Sequence, residues 1–337
     1  MRSARPAHRV STVVNCYTVF DKFFPPCGLL DYTEGIYHDD PHTPYLEAQR
    51  NQLQYLLDEV CCSPGTRVLD VGCGNGRLLE EIRQRGGLGV GVTISPQQVR
   101  LCRHNGLDVR LLNYKDLGPE WNGRFDAVVA NGPIEHFVQP ADAVAGQTDA
   151  IYAEFFRICH RLIDPQSSNK RLVNTTIHFV RPPDPRNLLK NPGAFPRGSD
   201  NYHWAMLARS FGGYYPVLGQ FERCAERYFK IVHTVDGTCD YHLTSEEWLR
   251  RIRAALKTPK GLEIFVRVFP TAVTHPLQLA AMLRCMLVAE SWNWQFRPPD
   301  PPTRLLRQTW EYQPAQTSQS RAASRSDWTG SRVGMNS

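Results

Sequence analysis

Apolar residues fall along this chain in short runs separated by amphipathic stretches, a pattern that predicts strands alternating with helices. The first strong run, VLDVGCGNG (residues 68–76), starts with Val68 and Leu69 and ends in three alternate glycines, Gly72, Gly74 and Gly76. A buried strand turning tightly into a helix from Arg77 to about Arg85 satisfies it, because glycine takes φ > 0 freely and lets a ligand touch backbone. LGVGVT (88–93) reads as a second strand, and Ser95, Pro96, Gln97 and Gln98 open a helix with Pro96 in its first turn. Residues 108–113 alternate and lead to Tyr114, FDAVVAN (125–131) reads as a fourth strand, and RLVNTTIH (171–178) as a fifth. Strands separated by helices predict an α/β protein with a parallel, doubly wound sheet and a ligand at the carboxyl ends of the strands.

The glycine turn narrows the ligand. Its spacing is GxGxG with Asp70 two residues ahead, unlike the GxGxxG of dinucleotide enzymes or the GxxxxGK[ST] phosphate loop. The helix that follows offers free N–H groups to whatever lies against the turn. Dinucleotide and ordinary methyl-donor folds end their second strand in Asp or Glu, which holds ribose hydroxyls; here Thr93 has that place. No HExxH, GxSxG or Walker sequence competes.

Five blocks, in this order, carry a family likeness: GVTIS with Gln98, LLNYKDL, FDAVVANGPIEHF, YAEFFRICHRLIDP and DYHLTSEEW. With them the chain from about Asp31 to Trp310 resembles the cyclopropane fatty acid synthases and mycolic acid methyltransferases, which use S-adenosylmethionine. The resemblance implies a class I, Rossmann-like methyltransferase fold: a mainly parallel seven-stranded sheet with an N-terminal helical cap and a lid insertion. It also implies that S-adenosylmethionine meets Tyr32 and Thr33 before the first strand. Further contacts come from Asp70, Gly72, Gly74 and Gly76, then Thr93, Ile94, Ser95 and Gln98, with Tyr114 beside the adenine.

In that family an alkene attacks the methyl group, leaving a carbocation-like centre, and a base removes a proton as the ring closes. The base is a bicarbonate held by a carboxylate, a tyrosine, a histidine and backbone groups around a cysteine. Glu135 matches the carboxylate and Tyr241 the tyrosine, but Glu34 stands at the cysteine and Asn174 at the histidine. Bicarbonate is therefore in doubt, since an anion would meet two carboxylates. Glu34 could be the base itself. Alternatively the two carboxylates hold an amine, as in plant alkaloid N-methyltransferases with a Glu-His pair like Glu135 and His136; or the cation is quenched by hydride shift or water. The plainer alternatives are an exposed loop carboxylate at 34 and a merely capping His136. His178 and His203 read as structural or surface residues, and the aromatics of 202–215, with Trp292, Trp294 and Phe296, as an acyl channel, a cation cage or a small core.

A chain of 337 residues, 42% hydrophobic and 21% charged, is ordinary for a globular enzyme. The expected organisation is a disordered basic start (1–10), a cap (11–60), the cofactor core (61–180), a substrate-covering insertion (181–228), the C-terminal part of the fold (229–312) and a disordered tail (313–337). The basic start lacks a following apolar region, so no signal peptide is read. The apolar stretch 277–289 is too short and too interrupted to span a membrane and reads as a core or lid helix. Ten scattered cysteines without CxxC or metal-ligand spacing read as reduced thiols in a cytoplasmic protein with no metal site. A net charge of +6, spread rather than striped, does not indicate nucleic acid and permits peripheral attraction to an anionic membrane or an acidic carrier. The favoured function is methyl or methylene transfer to an unsaturated acyl chain of a lipid. The rivals are N-methylation of a small hydrophobic amine and a non-catalytic S-adenosylmethionine-binding protein; oligomeric state is unspecified.

Overall fold

A computed structural model describes residues 6–314, with side chains from Val13 onward. Two helices come first, α1 (Pro6–Phe23) and α2 (Tyr45–Glu59). The cofactor half then runs β1 (Arg67–Val71), α3 (Arg77–Gln84), β2 (Leu88–Thr93), α4 (Pro96–His104), β3 (Val109–Leu111), β4 (Ala127–Asn131), α5 (Pro140–Val144), α6 (Thr148–Leu162) and β5 (Arg171–Phe179). The proline-rich stretch after β5 makes only the short α7 (Pro185–Leu188), followed by α8 (Asp200–Phe211) and α9 (Gln220–Ala225). After β6 (Phe229–Asp236) come α10 (Thr238–Leu256), α11 (Lys260–Thr274), α12 (Pro276–Leu283), a π-helical turn (Arg284–Val288), α13 (Ser291–Trp294) and β7 (Thr303–Tyr312).

The seven strands lie in the order β3-β2-β1-β4-β5-β7-β6. β1 to β5 are parallel, and β7 inserts antiparallel between β5 and β6. This is the class I methyltransferase arrangement. The order reverses beside β1, so β1, β2 and β4 release their chain ends at one crevice, which is where an open α/β sheet binds its ligand.

Sequence explains the local geometry. Ser95 caps α4 by accepting the Gln98 N–H, and Pro96 sits in the first turn where its missing N–H costs nothing. One face of the sheet packs on α6, where Phe155 and Phe156 meet Trp310; the other packs Leu53, Leu56 and Leu57 of α2 and Leu79 and Ile82 of α3. A third core joins the cap to the C-terminal helices: Phe20 and Phe23 of α1, with Phe24 just after it, pack with Trp248, Trp292 and Phe296. Tyr202, Trp204 and Tyr215 belong to this shared core and do not line the crevice at the strand ends, so they are neither a small core of the insertion's own nor a channel into that site.

Two expectations change and a third falls outside the described residues. α1 begins at Pro6, inside the stretch read as unstructured, while 1–5 lie outside the described residues. The 277–289 stretch is broken into α12 and the π turn. The expected tail lies outside the described residues from 315 on. Among the described residues no helix is long and apolar enough to cross a membrane.

Candidate active site

A cavity of about 840 Å³ opens at the carboxyl ends of β1, β2 and β4, roofed by α1 and α10. Gly72, Gly74 and Gly76 all have positive φ (76°, 51° and 82°), yet they serve different ends. A Cβ on Gly72 would stand 2.6 Å from Pro133, and one on Gly76 2.6 Å from Leu107, so both are required by packing. A Cβ on Gly74 would meet nothing within 4 Å: it would project into space beside the turn, as a cradle for a ligand demands.

The walls around that turn suit a cationic, adenosine-bearing group. Thr93 Oγ1 donates to Gln98 Oε1 at 2.7 Å and accepts the Ser95 N–H at 3.2 Å, fixing the polar cluster that replaces a carboxylate after β2. Ile94 and Tyr114 line the same end, Tyr114 stacked on Phe137 with centroids 4.3 Å apart. Nearer the turn, Tyr32 donates its hydroxyl to Asp21 and accepts from Asn75 Nδ2 at 3.2 Å. Burial pushes the Asp21 carboxyl up to about 6, against the hydrogen bonds from Tyr32 and Gln98. Burial, helped by the charge of Asp31, pushes Asp70 up to about 8. Asp31 and Asp70 both line the cavity, and a bound cation would return the charge balance that burial denies them.

The deeper end carries the catalytic candidates. Glu135 sits on the turn after β4 and accepts the Ile177 N–H at 3.0 Å. Burial pushes its carboxyl up to about 8, with the charge of Glu34 acting in the same direction. Tyr241, on α10, stacks on Phe296 at 4.4 Å. His136 Nε2 meets the Tyr17 hydroxyl at 2.9 Å, and burial pulls its imidazole down to about 4, so it is neutral at physiological pH. Its ring also faces the Phe211 backbone, which opposes that shift.

Glu34 is not an exposed loop carboxylate; it is 2% exposed. Thr33 Oγ1 donates to its Oε2 at 2.8 Å, while Oε1 lies 3.6 Å from Arg307 Nε and makes no hydrogen bond. Arg307, 1% exposed on β7, spends its fork elsewhere: on Gln52 at 2.7 Å, Asp240 at 2.9 Å and the Gly35 carbonyl at 3.1 Å. Burial raises the Glu34 carboxyl and the guanidinium opposes it. Glu34 thus lines the cavity, while its Oε1 is shut from solvent and faces Arg307 without a hydrogen bond among the described residues.

The cavity therefore gathers Tyr32, Thr33, Glu34, Asp70, Gly72, Gly74, Thr93, Ile94, Ser95, Gln98, Tyr114, Glu135, His136 and Tyr241. Gly76 lies behind the turn and supports it through packing. Asn174 is not brought in. It accepts the Trp310 indole N–H at 2.7 Å and donates to Thr176 at 3.1 Å, away from the cavity. The next residue, Thr175, is the one that turns toward the site, donating to Asn131, which in turn bonds Thr33 at 3.0 Å. His178 and His203 are buried structural residues, bonded to the Thr176 carbonyl and to Ser291. Tyr17, Asp21, Asn131 and Arg307 were missed. Only Asn131 had a signal, as the polar end of β4. Among the described residues no cluster of His, Cys, Asp and Glu is arranged to hold a metal ion.

The Glu135 environment carries a stability prediction. Its ordinary value is 4.5 and its folded one about 8, so the folded chain keeps a proton that the unfolded chain releases. That stability is fully present at low pH and is lost as pH rises toward 8, with Asp70 adding a term of the same sign. Glu135→Gln should flatten the fall in Tm between about pH 5 and pH 8, read by scanning calorimetry. A fall as steep as in the wild type would return Glu135 to the ordinary carboxylate range.

The fold and the cavity define the class: S-adenosylmethionine-dependent methyltransferases. Residues 5–264 match the family described as mycolic acid cyclopropane synthetase, and the chain belongs to it. S-adenosylmethionine is the cofactor of that family. The chain is 31% identical over 133 residues to a ubiquinone biosynthesis O-methyltransferase from Xanthomonas oryzae pv. oryzae, covering 38% of this chain and 50% of that protein. It is 35% identical over 124 residues to the cyclopropane-fatty-acyl-phospholipid synthase of Escherichia coli, covering 35% of this chain and 29% of that protein. The chain thus spans half or less of the curated relatives it matches. Among solved structures it is similar to the mycolic acid cyclopropane synthase CmaA1 complexed with SAH and CTAB, with a TM-score of 0.66 at 19% identity, covering 93% of this chain and 100% of that one. That likeness is one of fold.

Proposed function

We propose that the protein transfers a methyl or methylene group from S-adenosylmethionine to the carbon–carbon double bond of an unsaturated acyl chain. The observation that carries the reading is the state of the two carboxyl groups. Glu34 is already compensated by Arg307 and Thr33, and Glu135 is held toward its neutral form by burial. Neither offers the free, solvent-balanced charge that would hold a permanent ammonium. The same wall, with the rings of Tyr17 and Tyr241 in it, suits an apolar substrate on which positive charge appears only transiently.

When bound, S-adenosylmethionine supplies an electrophilic methyl group. Gly74, Asp70, Tyr32 and the Thr93–Gln98 pair would hold it, and Tyr114 would flank its adenine. Glu34, whose side chain lines the cavity and whose Oε1 carries no hydrogen bond among the described residues, takes the proton from the cationic product of methyl transfer. The C–H bond breaks, its electron pair closes the ring or forms a new double bond, and the proton goes to the carboxylate. Glu135, protonated and fixed by the Ile177 N–H, and Tyr241 shape the pocket around the alkene carbons. Burial keeps water from quenching the cation. No bicarbonate is needed, because Glu34 occupies its role.

The test is turnover with isotopically labelled S-adenosylmethionine on unsaturated acyl lipids and, in parallel, on hydrophobic amines. Acyl chains heavier by one labelled methylene are expected. Labelled amines with unchanged lipids would replace this reading by N-methylation.

A further inference from the structure

α11 is apolar on both of its sides. Ile264, Val268 and Thr271 are buried, and Thr271 Oγ1 accepts a hydrogen bond from Lys22 of α1 at 3.0 Å. On the opposite side Leu262, Phe265, Val266, Phe269 and Val273 stand in solvent, from 53% to 69% exposed. Their spacing of i, i+3, i+4, i+7 and i+11 sets them in one stripe roughly 100° wide. Leu277, at the start of α12, is 74% exposed and prolongs it. A helix that needs only one apolar face to join its core has been given two, and a contiguous exposed apolar stripe marks an interaction surface.

Charge decides the kind of surface. Residues 251–289 hold six Lys and Arg and one acid, Glu263; Arg251 and Arg253 are paired with Glu247 and Glu290 just outside that stretch, which leaves Lys257, Lys260 and Arg284 as its uncompensated positive charges among the described residues. Glu263 is paired with Arg267 at 2.6 Å. Lys257 and Lys260, both exposed at the amino end of α11, have no ion-pair partner among the described residues. An apolar stripe with lysines at its end fits an anionic lipid surface, the aliphatic and aromatic side chains entering the acyl region while the ammonium groups stay among the headgroups. A second copy packed stripe to stripe in parallel would set the lysine-bearing helix ends close together, and an antiparallel copy would leave those lysines without an acidic partner. The helix that carries the stripe packs its buried face on α1, whose Val13, Val14 and Tyr17 line the cavity.

We propose that α11, continued by Leu277, is a docking face that lays this protein onto an anionic membrane surface. It does not depend on the identity of the methyl acceptor. The experiment is flotation of the full chain with vesicles of phosphatidylcholine, with and without phosphatidylglycerol, at low and high salt. Wild type should float with the anionic vesicles, less at high salt and least with phosphatidylcholine alone. Phe265→Glu/Phe269→Glu should weaken flotation about tenfold or more, and Lys257→Glu/Lys260→Glu should weaken it on anionic vesicles. Both double variants should keep wild-type S-adenosylhomocysteine binding by calorimetry, which shows that they are folded. Wild type that fails to float, or a folded Phe265→Glu/Phe269→Glu variant that floats as well as wild type, would overturn the proposal. So would a concentration-dependent dimer in sedimentation equilibrium that this variant abolishes, since the stripe would then belong to a second copy.

Discussion

Gly74→Val should lose S-adenosylhomocysteine binding, by about a hundredfold or more in calorimetry, while remaining folded. Two effects separate at this position. The backbone holds φ at 51°, which a β-branched residue adopts at a cost of roughly 1–2 kcal/mol, a loss that moves Tm by only a few degrees in a chain this long. The Cβ of the new side chain meets no protein atom within 4 Å, so the damage falls chiefly on the ligand that must lie against the turn. Gly72→Val is the contrast: its Cβ would strike Pro133 at 2.6 Å, and the variant should be destabilised before any question of binding arises. Absence of any heat or thermal shift with wild-type protein would remove the cofactor assignment. Retained binding in a folded Gly74→Val variant would show that the cradle lies elsewhere.

That difference between neighbouring glycines marks where sequence reading stops. Three alternate glycines after an apolar run announce a tight strand-to-helix turn, since only that conformation calls for them. Which glycine faces a ligand and which faces Pro133 or Leu107 depends on segments far along the chain. The parallel half was legible because β1, β2 and β4 are apolar runs closed by polar residues at their carboxyl ends, and Ser95-Pro96 is a local capping signal. β5 was found as a strand but not by face. It is buried on both sides almost throughout, so no alternation tells which residues point toward the cavity, and Asn174, aligned with the family's histidine, points away while Thr175 approaches the site. Arg307 gave no signal at all. An arginine in a polar stretch near the end of the fold reads as a surface charge, and only the insertion of β7 between β5 and β6 buries it among Glu34, Gln52 and Asp240. The outward stripe of α11 was passed over for a related reason: an apolar helix reads as core until its surroundings show one side left bare.

Glu34→Gln should lose about 10²- to 10⁴-fold in turnover, the range for removal of a positioned base, with little change in cofactor binding. The substitution keeps shape and leaves Thr33 a partner, and it removes the carboxylate oxygen Oε1, which has no hydrogen bond among the described residues. A merely structural Glu34 predicts something else. Loss of its charge would leave Arg307, still bonded to Gln52, Asp240 and Gly35, with less compensation, and would show as a lowered Tm rather than a lowered kcat. The two outcomes are read on the same sample by calorimetry and by turnover with saturating S-adenosylmethionine. Bicarbonate supplies the second arm. With Glu34 in the role of the base, wild-type turnover should be the same in bicarbonate-depleted and bicarbonate-supplemented buffer, because an added anion would have to share the pocket with Glu34 and with a Glu135 that burial already holds toward its neutral form. Strong stimulation of the wild type by bicarbonate, or a Glu34→Gln variant with unchanged kcat, would take the proton-accepting role away from Glu34 and leave it as the buried partner of Arg307.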